Sequence, residues 1–572
     1  MNIVRHKRLG RIAACTAIAL TAGMALAGPA SADAPVAPKA PSENVQPAAP
    51  QPTGVIPGGT RTGLATAGVK DVAPPLFDVN HDGTHDLLYR SGTKHYLKDF
   101  QDDDAEFSLQ IGEDSAYKDV IPAGDMDGNA NPELLTLSVT GELSLHEVSS
   151  TDGVWSSNWR GRGWTIYNKV VGAGDLTGDG RPDLLARKHN GELYLYAATG
   201  NLYAPYRAAV KIGAGWGAYD QLVGGSDVTG DGIGDLLART PSGNLYRYTG
   251  TGNASAPFRA AAKIGYGYQV YNQMLAVGDA NGDGFADYLA RDLSGTNWFY
   301  PGKSGGTVAG RLKSGTNWQH TDLFAGQGGI ADHGKAGIAA RSTGNTLFRY
   351  VSKADGKFYS RYKWSDDGGW PDFAPITFAS SLTDNPFGSF MYVYQGRLYH
   401  GESDLGAGWG GFNALVGVGD LTGDGKGDLL ARTSGGTLYL YHGNGAGTAL
   451  GSKTGIGAGW GAYNKLLGAG DFTGDGRADL IARTSGGTLY LYPGTGVAKA
   501  PFKTRVKIGT GFGIYNKMAA AGDMTGDGRA DLVGTDSAGN LWRYSATGLG
   551  GSATLSKRVS LGNGWGIYKN LY

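Results

Sequence analysis

Seven nine-residue loops carry most of the chemistry this sequence can do. Asp175, Thr177, Asp179 and Asp183 hold positions 1, 3, 5 and 9 of DLTGDGRPD, with Gly180 at position 6. The pattern returns at Asp227, Thr229, Asp231 and Asp235, and at Asp279, Asn281, Asp283 and Asp287. Later copies hold Asp420, Thr422, Asp424 and Asp428, then Asp471, Thr473, Asp475 and Asp479, then Asp523, Thr525, Asp527 and Asp531. A looser copy opens the series with Asp78, Asn80, Asp82 and Asp86. Side-chain oxygens at this spacing, with a carbonyl at position 7 and a glycine at the sharp turn, suit a hard cation. Three carboxylates so close repel one another unless a cation joins them. The loops are therefore expected to hold about seven structural Ca²⁺ ions. The alternative is a cluster of Asx-turns capping a hairpin without metal. Mg²⁺, which prefers a tighter octahedron and keeps its waters, suits them less, and Arg stands where a helical calcium hand places its bidentate Glu.

The elements that must position these loops repeat with them, at about 50 residues. In the stretch 460–508 a Gly-Trp turn leads into a Gly-rich segment and then the acidic loop. The apolar run DLIAR, the alternating run TLYLY and the polar run RVKI follow. Four short strands with tight turns between them make one propeller blade. The Gly-rich strand is expected innermost, where space is shortest. Glycine makes up 98 of 572 residues, which in this pattern marks turns.

Ten units start near 78, 125, 175, 227, 279, 329, 381, 420, 471 and 523. Two have lost the cation pattern: Gly329, Ala331, His333 and Gly337 in one, Ser381, Thr383, Asn385 and Ser389 in the other. In a third, running from Asp125 to Glu133, Ala130 replaces the turn glycine and counts against a site. The fold class is all-β, with the repeats arranged as two tandem five-bladed propellers, residues 76–322 and 323–572, or as one larger ring. The fragment Gly564–Tyr568 repeats the opening of a unit that the first unit lacks, so the C-terminus is expected to complete the N-terminal blade.

The string G-x-G-D-x-T-G-D-G-x-x-D-L-L-A-R resembles the FG-GAP (VCBS) repeats of integrin alpha chains and many secreted bacterial proteins. The resemblance implies a propeller with Ca²⁺ in the hairpin loop between the first two strands of a blade. The blade length and the Gly-Trp turn are also similar to the tachylectin type of sugar-binding propeller.

Residues 1–32 read as a Sec-type signal: basic residues, the apolar run 12–28, then Ala30-Ser31-Ala32. Its loss takes the balance from 51 basic and 51 acidic groups to 47 and 51, and removes Cys15, the single cysteine. Residues 33–75 form a Pro/Ala-rich disordered linker. The chain is thus expected to be secreted and extracellular. No basic run favours nucleic acid, and no apolar run of the mature chain favours membrane insertion.

Trp164, Trp216, Trp409, Trp460 and Trp565 of the Gly-Trp turns are candidate stacking platforms for a sugar ring, or else staples between blades. An Arg recurs 12 residues after the start of seven units, at 90, 187, 239, 291, 341, 432 and 483, and reads as a contact between blades. Polar residues belong to the repeat, whereas catalysis needs a constellation that breaks it. The function expected is non-catalytic recognition of a glycan or an extracellular protein. The alternatives are a polysaccharide hydrolase or lyase, with Asp366 and Asp367 as candidates, and a subunit of an extracellular assembly.

Overall fold

The computed structural model describes residues 52–54, 73–92, 94–98, 105–109, 117–331, 335–370, 375–380, 382–383 and 388–572. The signal sequence and most of the linker lie outside them. Thr53–Gly54 of the linker pairs with Gly315 and Thr316, adding a short strand to the edge of one blade.

Among the described residues, ten sheets are each built around four antiparallel strands that lie side by side in the order of the repeat. In blade 3 these are Tyr167–Gly174, Asp183–Lys188, Leu193–Tyr196 and Val210–Gly213. The Gly-rich strand is innermost, and its glycines are there for lack of room. A Cβ on Gly172 would strike the carbonyl of Pro122 in blade 2, and one on Gly468 would strike that of Gly417.

The strand order closes two rings. The inner strand of blade 1 is Leu323–Phe324, with Phe324 opposite Tyr89. The inner strand of blade 6 is Tyr568–Leu571, with Leu571 opposite Ala340. Each five-bladed ring is thus sealed by its last segment, which completes its own first blade. The C-terminus completes blade 6, not the N-terminal blade, and Leu323–Phe324 falls with the first ring, just past the expected boundary at 322. Apolar clusters fill the junctions between neighbouring blades. Tyr89 and Phe324 meet Leu289 and Phe299 across blades 1 and 5, while Ile338 and Ala340 meet Val533 and Leu541 across blades 6 and 10.

Ring closure divides the sixth unit between the two rings. Its first strand belongs to blade 1 and its second to blade 6, so no hairpin joins them. Instead the chain crosses the inside of the first ring: Gly326 N–H donates to Val120 O at 3.0 Å and Gly328 N–H to Met274 O at 2.8 Å.

The Gly-Trp turns are staples, not platforms. Trp164, Trp216, Trp409, Trp460 and Trp565 are all buried. Each turn follows a left-handed residue, such as Gly215 at φ 85° or Asn317 at φ 67°. The Trp460 N–H donates to Gly436 O of the preceding blade at 3.0 Å. Its ring packs on Tyr492 at 4.8 Å, and Tyr492 Oη meets Tyr463 Oη at 2.6 Å. The Arg of the preceding blade finishes the lock: Arg432 Nη1 donates to Trp460 O at 3.1 Å and to Tyr463 O at 2.6 Å. Arg187, Arg239, Arg291 and Arg483 clasp the following turn in the same way. The sugar-stacking expectation for these five tryptophans is therefore withdrawn: the ring faces are spent on the blade junctions. Trp460→Ala should cost about 3–5 kcal/mol. Chemical denaturation would read this as a lowered midpoint, and an unchanged midpoint would refute the staple.

Candidate metal centres

Each acidic loop but the first joins the first and second strands of its blade, the first leading into the second strand of blade 1, and the position 1 carboxylate is its hub. Asp175 Oδ1 accepts the Thr177 N–H at 3.0 Å and the Gly178 N–H at 2.7 Å, and Oδ2 accepts the Gly180 N–H at 2.7 Å. The position 9 carboxylate closes the loop from below. Asp183 Oδ2 accepts the Leu176 and Thr177 N–H groups at 2.9 and 3.0 Å, and Oδ1 accepts Ala198 N–H at 2.9 Å. The arrangement recurs in the second ring, where Asp471 accepts Gly474 N–H and Asp479 accepts Phe472 and Thr473 N–H. Asp227, Asp279, Asp420 and Asp523 likewise accept the position 6 N–H, as does Asp78 in the looser copy. The position 5 carboxylates Asp179, Asp231, Asp283, Asp424, Asp475 and Asp527 accept the position 7 N–H. At position 3, Thr177, Thr422, Thr473 and Thr525 turn their hydroxyls to the first Asp.

The Asx-turn hydrogen bonds are thus present, and Arg181 and Arg529 pair with Asp179 and Asp527 of their own loops at 2.6 Å, yet the position 9 carboxyls remain disfavoured as anions. Burial pushes Asp183 up to about 6, and Asp175 and Asp179 add to the shift. Asp235 rises to about 6, and Asp287 and Asp428 to about 7, by burial first and by their loop partners as well. Asp479 is driven well above the carboxylate range for the same reasons. As placed, no three His, Cys, Asp or Glu side chains among the described residues stand close enough together to hold an ion. The donor set itself fits a hard cation, being all oxygen, and Thr229 Oγ1 at position 3 is buried without a hydrogen-bond partner.

The loop from Asp125 to Glu133, which Ala130 counts against on the sequence, has the same build. Asp125 Oδ2 accepts Ala130 N–H at 2.9 Å, and Glu133 Oε2 accepts Met126 N–H at 2.6 Å. Ala130 takes the glycine conformation, at φ 75°. Burial, reinforced by Asp127, Asp125 and Glu147, lifts Glu133 to about 8, and its Oε1 has no partner. The acid at position 9 was the legible signal; the missing glycine concealed it. In the other altered unit, Ser389 keeps the position 9 contact, its hydroxyl accepting Leu382 N–H at 3.0 Å, whereas Ser381 and Asn385 lie outside the described residues.

The loops are not equivalent. Those of blades 8, 9 and 10 face the first ring. Asn168 Nδ2 donates to Asp475 O at 2.8 Å, and Asn272 Nδ2 to Thr525 O at 2.5 Å. The strongest tie is a buried triad: Asp220 Oδ2 accepts Arg239 Nη2 at 2.7 Å and Arg529 Nη1, from position 7 of the last loop, at 3.1 Å. Burial disfavours the Asp220 anion, but the two guanidinium groups outweigh it and hold its carboxyl below the usual range. The legible sign was Asp220 itself, which stands where the neighbouring units carry Asn168 and Asn272.

Fold and loops together define a tandem β-propeller whose blades carry acidic hairpins. Residues 227–290, 420–482 and 471–534 match the FG-GAP-like repeat. The chain is thus a propeller protein built with FG-GAP-like repeats, as its loop strings imply. No curated protein matches it. Among solved structures, the crystal structure of BBS1N in complex with ARL6DN, soaked with lead, covers 65% of this chain and 90% of its own at 11% identity and a TM-score of 0.21.

Proposed function

We propose that this protein is a secreted, calcium-stabilised recognition module that binds a glycan or an extracellular protein without catalysis. The observation that carries the reading is the set of amide-lined acidic loops, in which burial and the neighbouring loop carboxylates raise Asp183, Asp235, Asp287 and Asp428 above the usual carboxylate range. Ca²⁺ would offset that charge and turn the loops into fixed corners of a rigid scaffold. Export is supported by the leader-like residues 1–32, and N-terminal sequencing of the mature chain should begin at Asp33.

With the Gly-Trp turns committed to packing, contact with a ligand passes to aromatics that are exposed. Tyr203 and Tyr266 are 76% and 83% exposed, and Trp155 is 55% exposed. Tyr266 lies just ahead of the turn into blade 5, and Tyr203 in the loop after the third strand of blade 3. Rings presented this way suit stacking on a sugar face or docking on a protein.

The test is an array of glycans and cell-wall polysaccharides probed with the mature protein, first with Ca²⁺ and then with EGTA. Discrete binding that falls in EGTA and in Tyr266→Ala is the expected result. A blank array with folded, calcium-loaded protein would overturn glycan recognition.

A further inference from the structure

A guanidinium clamp recurs where the third and fourth strands of a blade meet. In blade 9 the Arg505 guanidinium lies 4.3 Å from the centroid of the Tyr490 ring and donates to Tyr463 Oη, which meets Tyr492 Oη at 2.6 Å. Blades 5, 6 and 10 repeat it. Arg311, Arg361 and Arg558 stand 3.9, 4.4 and 4.1 Å from the rings of Trp298, Phe348 and Trp542. They donate to the hydroxyls of Tyr271, Tyr568 and Tyr515. The register is fixed: each Arg lies two residues ahead of the residue that pairs with the stacked ring.

Blade 4 builds the same receptor but supplies no cation to it. Tyr219 Oη meets Tyr248 Oη at 2.6 Å, and the Tyr246 ring stands edge-on to Tyr219 at 5.9 Å, as Tyr490 does to Tyr463 at 6.3 Å. Tyr246 pairs with Lys263, so the clamping position falls on Ala261, which is exposed. Among the described residues, no cationic side chain lies over the Tyr246 ring or donates to the hydroxyls of Tyr219 and Tyr248. Blade 3 also has alanine there, Ala209, but its Lys188 lies 4.3 Å from the Tyr194 ring and donates to Tyr194 Oη at 3.0 Å. Thr240 takes the place of Lys188 in blade 4. Lys263 does not bar a second cation, since Lys313, Lys363 and Lys507 occupy its register beside stacked arginines. The strand Ala262–Gly265 is the outermost of its sheet, and the matching edge of blade 5 seats an added extended segment, Thr53–Gly54.

We propose that the outer corner of blade 4 is a docking site for an arginine side chain carried on an extended segment of a partner protein. The guanidinium stacks on Tyr246 and donates to the Tyr219–Tyr248 hydroxyl pair, and Ala261 leaves room for its alkyl stem. The four internal arginines identify the occupant, a planar cation with a fork of N–H donors. The open strand edge identifies its carrier, an extended polypeptide. The inference rests on the protein-partner form of the proposed function and not on the calcium loops. Neither calcium removal nor the glycan array reads this site, so its failure is distinct from theirs.

Saturation-transfer NMR on the full mature chain tests it, with acetylated and amidated Gly-Arg-Gly and its neutral citrulline counterpart as probes. Saturable transfer to the arginine peptide is expected, with little to the citrulline peptide. Ala261→Arg supplies the guanidinium from within, as blade 9 does, and should weaken binding about tenfold. The substitution falls on an exposed position, so the unfolding midpoint should hold or rise. Silence with the arginine peptide, equal binding of the citrulline peptide, or undiminished binding by a folded Ala261→Arg would overturn the proposal.

Discussion

Removing calcium at pH 7 should lower the unfolding midpoint of the mature chain by on the order of 15 °C. The size follows from mass action. A site saturated about a hundredfold above its Kd contributes about 2.7 kcal/mol, and each ring carries at least three such loops. For a domain of this size about 1 kcal/mol moves the midpoint by about 2–4 °C. The pH dependence gives the sharper test. Asp183, Asp235, Asp287 and Asp428 have folded-state pKa values raised to about 6–7 from 3.8. A carboxyl with a raised folded-state pKa contributes stability that is full below its unfolded pKa and lost as pH rises through the folded one. Through these groups the metal-free chain loses stability between about pH 4 and 7. Calcium acts on the ionised loops, so the midpoint difference between Ca²⁺ and EGTA should widen across that interval. Asp479→Asn should shrink the difference at pH 7, since it removes a ligand while its amide can keep some of the loop hydrogen bonds. Coincident melts with Ca²⁺ and EGTA at pH 7 would leave the loops as Asx-turn caps.

Asp220→Ala should be the most damaging single substitution at the junction between the rings. It leaves Arg239 and Arg529 buried against each other, their side chains 1% and 10% exposed. Breaking a buried ion pair from one side costs about 3–5 kcal/mol. The expected fall in midpoint is on the order of 10 °C. Because Arg529 comes from the second ring, calorimetry should also show one transition separating into two as the rings lose their coupling. Asp220→Asn should be milder for the first ring, since Asn272 accepts Arg291 Nε through its Oδ1 at 3.3 Å in the corresponding place. It would still remove one of the two carboxylates that Arg529 pairs with, Asp527 of its own loop being the other. A single, unshifted transition in Asp220→Ala would show that the triad does not join the rings.

Much of this was readable because a repeat reports the same physics many times. A nine-residue loop is a local object. Its glycine turn, its Asx hydrogen bonds and the spacing of its oxygens depend on adjacent residues, so Asp175 to Asp183 could be assigned from the string alone. The alternation in Tyr490 and Tyr492 likewise dictates one face of one strand. The tryptophans were less readable: Trp460 has the same neighbours in sequence whether it faces solvent or the adjacent blade, and only packing against Tyr492 decides. The loop at Asp125 was obscured because Ala130 adopts a backbone conformation that its residue type disfavours.

The sequence by itself determined the blade, the acidic hairpin and the number of units, since each is written within about 50 residues. The tertiary structure alone decided how the units close. Ring closure pairs Phe324 with Tyr89 and Leu571 with Ala340 across more than 200 positions, a match that local propensity does not encode. The same closure breaks the sixth hairpin and turns three acidic loops toward the first ring. Lys169 of blade 3 likewise meets Asp119 of blade 2 only once the blades are neighbours. The physical reason is common to all of these: strand pairing and charge pairing at the centre of a ring depend on which blades become neighbours, and that is settled only when the ring shuts.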